Sequence, residues 1–77
     1  MTEQETLRYA QEKLFDVLNQ DDFAGLYAYD REAHGAKRPA AIKRYYVGCG
    51  QQLFGNGATW EEAVEALLVM AGKVVRA

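Results

Sequence analysis

The chain has 77 residues, 49% hydrophobic and 26% charged, with a formal net charge of −2 and a pI near 5.3, which leaves room for one domain, residues 1–77, and no basic excess for holding nucleic acid. One cysteine excludes an internal disulfide, and no stretch is apolar enough to cross a bilayer. No serine is present for a Ser-His-Asp triad, and a single His with a single Cys cannot make a Cys/His zinc site, so neither metal nor cofactor is expected.

The opening residues, MTEQETLRYA, have no basic or apolar leader pattern, and with the lone thiol of Cys49 this sets a cytoplasmic expectation. Thr2 followed by Glu5 is a capping box, in which each side chain satisfies an orphan amide of a helix start. Leu7, Ala10, Leu14, Val17 and Leu18 then fall on one stripe at helical period, with Phe15 at its edge and Tyr9 on the opposite, wet side. The helix should stop between Asn19 and Asp22, where propensity is poor.

The middle of the chain changes period. Leu26 to Tyr29 reads as a strand, residues 31–41 as a long loop and Ile42 to Val47 as a second strand. Gly48-Cys49-Gly50 reads as a turn, and Gln51 to Phe54 as a third strand paired back on the second. The alternation is imperfect and leaves open which strand faces are buried. Thr59 and Glu62 form another capping box, opening a helix whose face comprises Trp60, Ala63, Val64, Leu67, Ala71, Val74 and Val75. Gly72 offers that helix an end, although the apolar period would carry a turn past it. The expectation is an α+β fold in the order α-β-β-β-α: a three-stranded antiparallel sheet with two helices packed on one face.

This order resembles the double-stranded-RNA-binding domain. The local likeness runs through Tyr45-Tyr46-Val47-Gly48, Leu53-Phe54-Gly55-Asn56-Gly57 and Glu62-Ala63, with His34 and Pro39 in the loop after the first strand. The resemblance implies phosphate-binding lysines at the start of the second helix. This chain has Trp60, Glu61 and Glu62 there, which disfavour a polyanion.

Charge is distributed as a basic middle between acidic ends. Five tyrosines stand out, and Tyr45 and Tyr46, being adjacent in a strand, must face opposite ways. Stiff aromatic rings with a polar tip suit an interface as well as they suit a strand. The leading expectation is a non-enzymatic module that binds a protein, with Tyr9, Glu12, Asp16, Tyr27, Tyr29 and Tyr45 as partner-binding residues. In type such a chain resembles the small accessory inhibitors of bacteriophages, anti-CRISPR proteins included. The alternative is an RNA-binding domain that uses Arg31, His34, Lys37, Arg38, Lys43 and Arg44. A homodimer would cover sheet edges that three strands leave open. No catalytic residue is assigned, because no recognisable acid–base pair or nucleophile motif occurs.

Overall fold

The computed structural model describes residues 1–18, 24–35, 43–50 and 53–76. The order is α1 (Glu3–Leu14), β1 (Leu26–Asp30), β2 (Tyr45–Cys49), β3 (Leu53–Gly57) and α2 (Trp60–Arg76). The strands form one antiparallel sheet with β2 in the centre. Both helices pack on the same face, α1 over β1 and α2 over β3 and β2. The expected architecture is therefore the observed one.

Both helices start at the expected caps, but only α1 closes the full capping box. Thr2 Oγ1 accepts from the Glu5 amide at 3.1 Å, and Glu5 Oε1 accepts from the Thr2 amide at 3.0 Å. The bond from the Thr2 backbone holds the Glu5 carboxyl below its ordinary pKa. At α2, Thr59 Oγ1 accepts from the Glu62 amide at 3.1 Å, but the Glu62 carboxylate reaches one residue further back, to the Ala58 amide at 2.9 Å.

The stripe of α1 is rotated from its expected position. Thr6, Ala10 and Leu14 are fully buried, whereas Leu7 is half-buried. Thr6 tolerates burial because its hydroxyl donates to the Thr2 carbonyl at 2.8 Å. Tyr9 is correspondingly half-buried and packs on the core instead of standing in water. The helix ends at Leu14, and one further turn carries Val17 and Leu18 back to the core through amide bonds to the Leu14 carbonyl. The helix therefore stops short of the expected Asn19 to Asp22, residues that themselves lie outside the described ones.

The last two strands lie two to three residues later than their sequence suggests. Gly48 and Cys49 belong to β2 rather than to a turn, and Cys49 is a buried core residue. The reversal falls on Gly50, whose φ of 69° only glycine adopts without strain. Gly55 and Gly57 belong to β3 for a tertiary reason. A Cβ on Gly55 would stand 2.3 Å from the Leu67 amide nitrogen and 2.4 Å from the Ala63 carbonyl oxygen. Bare backbone at this point lets α2 settle directly onto the strand.

The core joins Ala10, Leu14 and Leu18 to Val47 and Cys49 and to Trp60, Ala63, Val64, Leu67 and Ala71 of α2. The helix continues past Gly72 to Arg76; the side chains of Val74 and Val75 lie outside the described residues. No helix among the described residues is long and apolar enough to cross a membrane.

Candidate binding face of the sheet

Strand register decides which side chains share a face. Leu26, Ala28 and Asp30 of β1, Tyr45, Val47 and Cys49 of β2, and Leu53, Gly55 and Gly57 of β3 point toward the helices. The opposite, uncovered face carries Tyr27, Tyr29, Tyr46, Gly48, Phe54 and Asn56. Four aromatic rings therefore occupy the side that no helix or strand among the described residues covers.

The rings are ordered against one another. Phe54 and Tyr46 lie with centroids 5.7 Å apart and planes 15° apart, and Tyr46 and Tyr27 are 5.6 Å and 26° apart. The Tyr27 hydroxyl donates to the Tyr46 hydroxyl at 3.1 Å. Tyr27 leans across the central strand, so that its ring end fills the space above Gly48. Burial of that ring end, followed by the bond to Tyr46, pushes the Tyr27 phenol up to about 12. Even so, Tyr27 remains 38% exposed and Phe54 36%.

Cationic side chains stand at one end of this face. The Arg31 guanidinium lies 5.0 Å from the Tyr46 ring centroid, and Arg31 Nη1 donates to the Lys43 carbonyl. His34 stacks on Tyr29 at 4.5 Å, and its Nε2–H donates to Glu3 at 3.1 Å, which ties the turn after β1 to the first turn of α1. Arg44 is used within the fold. Its Nε and Nη2 donate to the Asp30 carboxylate at 2.8 and 3.0 Å, and its Nη1 lies 3.1 Å from Glu32 Oε2. Those bonds hold the Asp30 carboxyl below its ordinary range and raise the Arg44 guanidinium above its own. Asp30 also accepts from the Glu32 and Ala33 amides, which starts the turn.

The sequence candidates divide between surfaces. Tyr27 and Tyr29 lie on the open face. Tyr9 and Glu12 lie on α1, where Arg8 and Glu12 border two shallow depressions, and Asp16 lies in the turn after it, beside Phe15, which is 74% exposed. Tyr45 belongs to neither surface. It faces the helix layer, 4.5 Å from the Trp60 ring and beneath the Arg44 guanidinium at 4.9 Å. Tyr46 takes the place expected of Tyr45, and Phe54 joins it. The parity of Tyr45 with Val47 and Cys49 is the signal that separates the two tyrosines. Of the basic set, Arg31 and His34 reach the open face, Lys43 is exposed beside it, and Lys37 and Arg38 lie outside the described residues.

The start of α2 presents Glu61 and Glu62, and its Ala58 and Glu62 amides are occupied by capping side chains. No group of three or more His, Cys, Asp or Glu among the described residues could hold a metal ion. Comparison with protein-family models, curated proteins and solved structures found no match.

Proposed function

We propose that this chain is a non-enzymatic binding module, an inhibitor or adaptor in the cytoplasm, that engages a protein partner through the aromatic face of its sheet. The observation that carries this reading is the ordered array of Phe54, Tyr46 and Tyr27, with Tyr29 beside it, on a face that no helix or strand among the described residues covers. Tyrosine and arginine dominate the energetics of protein interfaces, because they bring large, stiff area with a polar tip. Here the fold has already ordered the rings, so little side-chain entropy is left to lose on docking. Glu61 and Glu62 stand at the start of α2 in the helix layer, and Glu3 of α1, which reaches His34 beside Tyr29, is paired there.

The test is affinity capture from a lysate of the source cells after nuclease digestion. The wild-type chain retains a protein, Tyr27→Ser with Phe54→Ser loses it, and Glu12→Lys with Asp16→Lys keeps it. Loss only in the helix variant, or a bound species destroyed by nuclease, contradicts the reading.

One observation favours the nucleic-acid alternative: Arg31 and His34 stack on rings of the same face, as they would beside an unpaired base. Duplex recognition through α2 has less support, because Glu61 and Glu62 stand where phosphates would approach. Titration with single-stranded and duplex RNA at two salt concentrations distinguishes it, since phosphate contacts weaken steeply with salt.

A further inference from the structure

The hydrogen-bond parity of the sheet fixes what its β3 edge offers. The Arg31 amide donates to the Arg44 carbonyl and the Gly50 amide to the Gly25 carbonyl, so Arg44, Tyr46, Gly48 and Gly50 bond toward β1. Tyr45, Val47 and Cys49 then bond toward β3, to Gly57, Gly55 and Leu53. The backbone N–H and C=O groups of Phe54 and Asn56 therefore point outward, away from the sheet. This edge strand carries no charge and no proline, the features that ordinarily blunt an edge.

The second helix supplies what β3 lacks. Glu62, Ala66 and Met70 follow one another at four-residue spacing and share one flank of α2. Four helix residues advance ~6 Å and two strand residues ~6.6 Å, so that flank keeps step with the strand. A Cβ on Gly57 would stand 2.5 Å from the Glu62 Cβ, and one on Gly55 would stand 2.9 Å from the Ala66 carbonyl carbon. At the next step the Phe54 N–H donates to the Met70 sulfur at 3.4 Å. A thioether is a weak acceptor, but here it takes the place that the carbonyl of an added strand would fill.

Uncovered, this edge is its own complement. Two β3 strands set antiparallel about Gly55 bring Phe54 of each copy opposite Asn56 of the other, with N–H and C=O facing across. Gly55 brings no side chain to the crossing point. We propose that Met70 is a built-in cap on the β3 edge, and that its contact with Phe54 keeps a second copy from adding there by strand pairing. The cap does not depend on the reading of the aromatic face.

The test is amide hydrogen exchange and sedimentation of the full chain as wild type, Met70→Leu and Met70→Ala. Met70 is only partly buried, so both variants keep the fold. In the wild type the Phe54 amide exchanges a few-fold more slowly than the Asn56 amide, each relative to its intrinsic rate. Met70→Leu keeps the cover but has no acceptor; it removes that difference and leaves sedimentation unchanged. Met70→Ala uncovers the edge, and its sedimentation coefficient rises with concentration. Adding Asn56→Pro, which an outward-facing edge position tolerates, abolishes the rise. The proposal is overturned by equal exchange at Phe54 and Asn56 in the wild type, or by a Met70→Ala chain that sediments as the wild type does at every concentration. Association that survives Asn56→Pro overturns it equally.

Discussion

The Tyr27 ring end occupies the space above Gly48, where a Cβ would meet the Tyr27 hydroxyl at 2.8 Å. From there the hydroxyl donates to Tyr46 at 3.1 Å. A glycine in the central strand thus lets one ring lie across the sheet and lock to the next.

This relationship has a pH signature. Tyr27 is raised to about 12 from the 10.0 of a free phenol. The protonated form is favoured in the folded chain, so its contribution is complete below pH ~10 and is lost as the pH rises toward ~12. Ultraviolet titration should show one tyrosine ionising last and should lose that step in Tyr27→Phe. Gly48→Ala should displace the ring and bring the step back toward the ordinary range, at a cost of about 1 kcal/mol in the urea midpoint.

Two glycines should respond in opposite directions. Gly55→Ala drives a Cβ into the backbone of α2, and should destabilise by about 3 kcal/mol or more. Gly72 lies within α2 with open space around it, and Gly72→Ala should stabilise by about 0.5–1 kcal/mol. Thermal unfolding of both variants checks the helix–strand contact and the helix end together.

The ion pair of Asp30 with Arg44 joins β1 to the start of β2. Asp30 is lowered, so its contribution is present above the ordinary carboxylate range and is lost as the pH falls through its depressed value. Asp30→Asn should cost about 1–2 kcal/mol at neutral pH, since Arg44 is only partly shielded from water. The difference from wild type should shrink in acid. A constant difference from neutral to acid pH would show that the pair contributes nothing through charge.

Asn56 carries the one buried side-chain oxygen found without a hydrogen-bond partner among the described residues. Leaving it unpaired costs about 1–3 kcal/mol, so Asn56→Val should raise the urea midpoint. A lowered midpoint would show that the amide is satisfied in solution.

The helices were legible in the sequence because their signals are local. Thr2 with Glu5, Thr59 with Glu62, and the spacing of Trp60, Ala63, Val64, Leu67 and Ala71 need no knowledge of the rest of the chain. The strands were displaced because Gly48, Gly55 and Gly57 look like turn residues from their own preferences. Their reasons for being glycine lie across the fold, in the Tyr27 ring and the backbone of α2. The candidate site was half legible for the same cause. Tyr27 and Tyr29 share one parity, but choosing Tyr46 over Tyr45 required the register that Val47 and Cys49 impose as buried residues. Phe54 read as an ordinary strand residue until Gly48 and Tyr46 supplied its neighbours.

The most direct measurement uses two exposed phenylalanines on opposite layers, Phe54 on the sheet face and Phe15 after α1. A photo-reactive phenylalanine analogue is placed at each position in turn, and the chain is irradiated in lysate before nuclease digestion. The proposed docking face predicts a discrete protein adduct from position 54 and none from position 15. An adduct from position 15 alone, or a cross-linked species at position 54 that nuclease removes, would contradict it.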